Sequence, residues 1–319
     1  MNLPCDHQPS LYADSSKLPK ALPDNGRIAI IAPAGPAQLD TLTAIKWFEA
    51  RGYLCRIYPG VTETEGYLAG SDARRLADLH AAFAATDVDA IICLRGGYGS
   101  MRLLEGLDYA LLRSNPKPLV GYSDITALHN AIARHAGFVT FHGAMLKSEL
   151  LANKQEPSVS SLFEQLSGRL KSGDSFQHPA RYPLSTIVSG AASGRLMGGN
   201  LAMLCATLCT SAELNCRDGI LFIEDVNEPL YRIDRLLTQL RLAGRFDGLR
   251  GVLVGDFAGL KVEALRPLLQ AIFEPLQIPV LAGWRSGHCD PNLTLPLGAQ
   301  VHLDADQHCL RLQQDLFAQ

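Results

Sequence analysis

The chain has 319 residues, of which 47% are hydrophobic and 19% charged, with a formal net charge of −3. That is enough length and apolar content for two domains with a sizeable core. The charge balance leaves no electrostatic footprint for nucleic acid, and no apolar run approaches the ~18 residues of a membrane span.

Residues 1–22 hold Cys5, Asp6, Asp14, Lys17 and Lys20 without a continuous apolar core, which speaks against a secretory signal. No apolar stretch precedes Cys5, so a lipoprotein anchor is discounted, and the segment reads as a loosely ordered tail. Strands are expected over Arg27–Pro33 and Tyr53–Tyr58, with a helix between them over Leu39–Arg51 that Gly52 closes. A helix over Asp72–Phe83 carries Leu76, Leu79 and Phe83 on one face. The all-apolar run Ala90–Leu94 reads as a buried strand that enters Arg95-Gly96-Gly97-Tyr98-Gly99-Ser100. Pro118–Val120, a helix from Ile125 through Ile132, and a strand over Phe138–Phe141 follow. This alternation makes the fold class α/β, with an N-terminal flavodoxin- or Rossmann-like parallel sheet flanked by helices over residues 23–147.

Turn chemistry dominates residues 148–185, which read as a linker with one helix over Leu162–Leu170. Residues 186–319 then form a second domain. Short strands are expected at Thr186–Val188 and Ala191–Leu196. Gly198-Gly199-Asn200 opens a helix through Leu208. Gly219–Asp225 and Gly251–Asp256 are strands, Leu230–Ala243 and Ala264–Phe273 are helices, and Ala299–Leu303 and Cys309–Leu312 close the chain. The eight cysteines are scattered with no C-x-x-C, which fits free core thiols in a reducing cytosol. Cys205 and Cys209 share a helical face, but no His or second Cys pair stands near them to complete a metal site.

Ligands of such sheets bind beyond the strand C-termini, where both Gly96-Gly97 and Ser123 fall. Gly121-Tyr122-Ser123-Asp124-Ile125-Thr126 is a strand-to-helix turn that pushes a serine hydroxyl out beside unpaired helix N–H groups. Ser, Asp and Thr are equally at home as helix caps, so the stretch alone supports either reading. A serine nucleophile needs a base near neutral pH, and the base needs a carboxylate on its other ring nitrogen. Glu224, at the end of a strand, and His288, in a Gly- and Pro-rich loop, supply these in the chain order Ser…Glu…His. The competing readings are Glu224-Asp225 as a capping pair and His288 as a turn-stabilising residue. His142 competes as the base from its strand end, with His129 and His135 further off. Arg95-Gly96-Gly97-Tyr98-Gly99 lacks both the Lys-Ser/Thr of a P-loop and G-x-G-x-x-G. Its glycines more simply let the backbone approach a substrate, and the N–H groups of Gly97 and Asp124 then make an oxyanion hole.

Taken together and in order, these motifs resemble the LD-carboxypeptidase family of serine peptidases, the muramoyltetrapeptide carboxypeptidases with the microcin-immunity peptidases as a branch. The resemblance runs from Arg27 to Asp304. It is carried by Ile31-Ala32-Pro33-Ala34-Gly35-Pro36, Gly66-Tyr67-Leu68-Ala69-Gly70, Arg95-Gly96-Gly97-Tyr98-Gly99, Gly121-Tyr122-Ser123-Asp124-Ile125-Thr126 and Phe141-His142-Gly143. It continues through Gly198-Gly199-Asn200-Leu201, Glu224-Asp225 with Glu228-Pro229 and Tyr231-Arg232, and Gly287-His288 with Asp290-Pro291-Asn292. The resemblance implies a Ser123–Glu224–His288 triad, a C-terminal mixed domain of β-barrel (swivelling) character, and a homodimer. It implies cleavage between the L-centre of a diamino acid and a terminal D-Ala in a murein tetrapeptide, free or linked to a sugar or nucleotide. The setting it implies is cytoplasmic peptidoglycan recycling, with no metal or organic cofactor and no nucleic-acid or membrane partner. Arg95, Tyr98 and Arg232 are the expected substrate contacts, the two arginines competing for the terminal carboxylate. Alternatives are an immunity-type hydrolase of peptidyl-adenylate toxins and a catalytically silent α/β binding protein. Cys289 and Ala34-Gly35 depart from the family pattern without touching the triad.

Overall fold

The computed structural model describes residues 18–152 and 154–318. Most of the expected tail, residues 1–17, lies outside these. The N-terminal half runs β1 (Arg27–Ile31), α1 (Thr41–Glu49), β2 (Leu54–Ile57), α2 (Asp72–Ala84), β3 (Ala90–Cys93), α3 (Tyr109–Ser114), β4 (Leu119–Gly121), α4 (Thr126–His135) and β5 (Thr140–His142). Next come α5 (Ser158–Leu166), β6 (Ser185–Val188), β7 (Ala191–Asn200), α6 (Leu201–Ala206), β8 (Gly219–Val226), α7 (Leu230–Leu242), β9 (Gly251–Ala258) and α8 (Val262–Phe273). The chain ends with β10 (Val280–Ala282), β11 (Leu295–Leu297), β12 (Gln300–Asp304) and β13 (Cys309–Leu312). Among the described residues no helix is long and apolar enough to cross a membrane.

The first sheet has the order β11-β5-β4-β3-β1-β2. All its pairs are parallel except β11 against β5. Ile28, Ala29 and Ile30 are wholly buried, as a parallel strand covered on both faces requires. Ser71 caps α2 by accepting from Arg74 N at 3.2 Å, a contact worth about 1 kcal/mol. Leu79, Ala82 and Phe83 then face the sheet.

The second sheet has the order β13-β12-β7-β8-β9-β10-β6. It curls, and chain geometry requires this. β6 and β7 are joined only by Ser189 and Gly190, yet β8, β9 and β10 lie between them in the sheet. A flat sheet would separate them by about 19 Å at ~4.8 Å per strand, while the connection reaches at most ~11 Å at 3.8 Å per Cα step. The strands therefore wrap toward closure, with Thr186 Oγ1 donating to Ala305 O at 2.6 Å across the gap. This is the barrel-like character expected of the C-terminal half.

Two strands escaped the sequence reading. β10 has three residues. β11 is Leu295-Pro296-Leu297, and its proline is tolerated because the strand lies on the sheet edge. β11 carries a segment of residues 186–319 into the first sheet. One apolar cluster runs through both sheets, including Val120, Phe141, Phe222, Leu253, Trp284 and Leu295. Gly198 and Gly199 do not open a helix; they end β7 at φ 126° and 133°. A Cβ on Gly198 would stand 2.0 Å from Phe222 O, and one on Gly199 2.6 Å from Thr126 Oγ1. The glycines thus let β7 press against β8 and α4, and Asn200 caps the helix instead. That helix stops at Ala206, so Cys209 lies beyond it and the expected shared face with Cys205 does not form.

Candidate functional site

The turn after β4 is strained at its serine. Tyr122 is extended, Ser123 takes φ 63°, and a short 3-10 turn over Ser123–Ile125 leads into α4. A left-handed serine costs of order 1–3 kcal/mol, which the surrounding structure must hold in place. Two glycines make room for it. A Cβ on Gly121 would meet Ile125 Cγ1 at 2.9 Å, and a Cβ on Gly96 would stand 2.9 Å from Ser123 Cβ and 3.1 Å from its Oγ. The turn lacks the second glycine of a G-x-S-x-G elbow, with Ile125 in its place, and Gly96 in the loop after β3 clears the space instead. Ser123 Oγ has no hydrogen-bond partner among the described residues, His288 included.

Glu224 and His288 meet. Strand β8 delivers Glu224, wholly buried, and its Oε2 accepts from His288 Nδ1 at 2.7 Å and from His288 N at 3.2 Å. Gly287, at φ 110°, permits this approach, since a Cβ there would fall 2.5 Å from Glu224 Oε2. The loop is held from a distance. Gly287 N donates to Asn292 Oδ1 at 2.9 Å, and Asn292 N donates to Ser158 Oγ on α5 at 2.9 Å. Burial pulls the His288 pKa down, but the Glu224 hydrogen bond and the negative charges of Glu224, Asp225 and Glu149 outweigh it, and the net shift is upward. The Tyr122 ring meets the His288 ring edge-on at 4.9 Å, so the residue before the serine touches the histidine directly.

The Gly96-Gly97 loop sits against the same turn. Arg75, buried on α2, donates from Nη1 to the carbonyls of Pro33 and Gly99 at 2.6 and 2.8 Å, tying the loops after β1 and β3 together. Gly97 takes φ 110°. Asp124 stands in the first turn of the 3-10 segment, where N–H groups have no partner within the helix. Its carboxylate faces away from catalysis: Oδ2 accepts from Ser100 N at 2.8 Å, and burial raises its pKa.

The competing histidines separate cleanly. His142 is wholly buried, packs on Phe222 at 4.8 Å, and has no hydrogen bond at either ring nitrogen. Burial holds its pKa well below the usual range. His129 is fixed on Gly121 O at 2.8 Å with its pKa pushed down to about 4 by burial, and His135 bonds Ser211 O at 2.7 Å. Of the described histidines, only His288 has a carboxylate on its ring. Arg95 makes one long contact, 3.5 Å from Nη1 to Pro36 O, and its Nη2 lies 3.9 Å from where a Gly97 Cβ would stand. Arg232 is engaged with Glu228 at 2.8 Å. Tyr98 is exposed and meets Tyr67 edge-on at 5.5 Å. Cys289 Sγ donates to Pro291 O at 3.1 Å, bracing its loop.

Residues 28–143 match the LD-carboxypeptidase N-terminal domain and residues 193–303 the LD-carboxypeptidase C-terminal domain. A probable murein peptide carboxypeptidase of Bacillus subtilis is 38% identical over 294 residues, covering 90% of this chain and 91% of that protein. The crystal structure of a muramoyltetrapeptide carboxypeptidase from Oxalobacter formigenes superposes with TM-score 0.78 at 31% identity, over 90% of this chain and 97% of that one. A microcin C7 self-immunity protein in complex with aspartyl sulfamoyl adenosine superposes with TM-score 0.83 at 25% identity, over 95% and 100%. With both family halves matched in order, and relatives aligned over nine-tenths of its length, this chain belongs to the LD-carboxypeptidase family and is a serine-type carboxypeptidase.

Proposed function

We propose that the protein releases the terminal D-Ala from murein-derived tetrapeptides, cutting the bond from the L-centre of the diamino acid, in cytoplasmic peptidoglycan recycling and as a homodimer. The observation that carries this reading is the 2.7 Å Glu224–His288 hydrogen bond. It places the proton on Nδ1 and leaves the Nε2 lone pair free to take the Ser123 proton. Ser123 Oγ attacks the scissile carbonyl as His288 accepts its proton. The tetrahedral oxyanion rests on the N–H groups of Gly97 and Asp124. The imidazolium, stabilised by Glu224, then protonates the departing amine of D-Ala. Water repeats the sequence on the acyl-enzyme. The contact between Ser123 and His288 closes in the substrate complex, as catalytic hydrogen bonds of free enzymes commonly do.

Arg95 is the better choice for the carboxylate of D-Ala, because Arg232 is already paired with Glu228. A charge-assisted hydrogen bond is worth roughly 1.5–3 kcal/mol. Arg95→Ala is therefore expected to raise KM for tetrapeptide about 10- to 100-fold, with Arg232→Ala within about threefold of wild type. Equal effects from the two variants in steady-state assays count against this assignment.

The test of the whole reading is mass spectrometry of the products from a murein tetrapeptide incubated with wild type and with Ser123→Ala. Loss of one D-Ala by wild type alone is expected, and equal release by both ends the catalytic reading. The superposition on the immunity protein motivates a second substrate in the same assay, a peptidyl adenylate. Much faster cleavage of that substrate reassigns the enzyme to the immunity branch.

A further inference from the structure

Beside the Glu224–His288 pair lies a second buried carboxylate that the mechanism above does not use. The segment Leu146–Leu150 winds as a single π turn, with Leu150 N donating to Met145 O at 3.2 Å and Leu151 N to Leu146 O at 3.0 Å. Such turns occur often at functional sites. Lys147 N donates to Leu94 O at 2.9 Å, which anchors the turn to the end of β3. The turn buries Glu149 to 3% exposure. Its Oε1 accepts from Tyr122 Oη at 2.6 Å, and its Oε2 accepts from Met145 N at 2.8 Å. Tyr122 leads directly into Ser123 and lays its ring edge against His288 at 4.9 Å.

Resting on the triad reading above, we infer that Glu149, acting through Tyr122, is a positioning residue for both the Ser123 turn and the His288 ring. Two donors converge on Glu149, a backbone N–H that can only donate and a tyrosine hydroxyl that donates in this arrangement. A carboxylate accepts from both. A glutamine would turn its NH₂ toward either Met145 N–H or the tyrosine hydroxyl. The carboxylate also adds negative charge near His288, where imidazolium forms during each proton transfer. The groups whose charge acts on His288 are Glu224 and Asp225 on β8, Glu149, Asp256 on β9 and His142 on β5. Those acting on Glu149 are Tyr122, Lys154, His288 and Cys289. Burial raises the Glu149 pKa to about 7, against the hydrogen bonds from Tyr122 and Met145 N. The charges of Glu149 and His288 each act on the other's titration.

The test uses the full chain with ring-labelled histidine, read by NMR across pH, with His288→Asn identifying the resonance. Removing the negative charge in Glu149→Gln is expected to lower the His288 midpoint by at least about 0.5 pH unit. On tetrapeptide, kcat is expected to fall about tenfold with KM near wild type. Tyr122→Phe keeps the ring and the Glu149 charge while cutting the bridge. It is expected to lower kcat about fivefold at unchanged KM. An unmoved His288 midpoint in Glu149→Gln overturns the inference, as does wild-type kcat in Tyr122→Phe. Should Glu149→Gln not fold, Tyr122→Phe decides alone. The midpoint is read without substrate. Failure of the wild type to cleave tetrapeptide would count against the functional reading, while the titration still decides this one.

Discussion

Ser123→Ala is expected to lower kcat for D-Ala release by about 10⁴- to 10⁶-fold while KM stays near wild type. The variant keeps the oxyanion donors, Arg95 and the Glu224–His288 pair, so substrate still binds and only covalent attack is lost. Alanine has no special tolerance for the φ of 63° at this position, so the strain of the turn remains and stability should change little. The two glycines that make room for the turn, Gly96 and Gly121, are untouched. Steady-state kinetics with thermal unfolding of both proteins checks this. A loss under tenfold, or a loss explained by unfolding, would sink Ser123 as the nucleophile.

Glu224→Gln should lower kcat by about 10³- to 10⁴-fold, because the amide presents a donor where His288 Nδ1 needs an acceptor. Rotating the amide to offer its oxygen restores one contact but not the charge that stabilises imidazolium. The pH profile should report this independently. In the wild type the net effect on His288 is an upward shift, carried by the Glu224 hydrogen bond and the nearby charges against burial. His288 acts as base only when neutral, so kcat/KM should rise with pH through a midpoint above the usual value near 6.5. In Glu224→Gln the charged form loses its main partner and that midpoint should move to lower pH. A profile that keeps its midpoint, or a kcat within tenfold of wild type, would remove Glu224 from the role of orienting acid.

Most of the residues in the proposed chemistry were legible in short local patterns. Ser123 sits where a buried strand meets a helix, and both elements announce themselves by periodicity and by Gly121. Glu224 follows the apolar run Ile220–Ile223 of strand β8, the easiest kind of strand to recognise. His288 was harder, because a histidine among Gly, Cys, Asp and Pro has no periodicity to place it, and His142 offered an equally good strand-end address. Burial separates them: His142 is sealed against Phe222 with no partner, while His288 meets a carboxylate. Asp124 stands next to Ser123 in the chain, and that position does not say where its carboxylate goes. Its carboxylate is spent on Ser100 N, a contact between residues 24 apart in the chain.

By itself the sequence determined the α/β class, the alternation that builds the first sheet, the serine turn and the family to which the chain belongs. These depend on contacts near in sequence or on motifs read in order. Tertiary structure alone decided the rest. It assigned Gly198 and Gly199 to a strand rather than a helix, because their positive φ and the approach of Phe222 and Thr126 both forbid a side chain there. It placed Leu295–Leu297 in the first sheet, where an edge position tolerates its proline. It cleared the space beside the Ser123 turn with Gly96, paired Glu224 with His288 across 64 residues, and brought Glu149 under Tyr122. Each is a long-range packing contact between groups that no local periodicity links, and such contacts come into being only when the chain closes on itself.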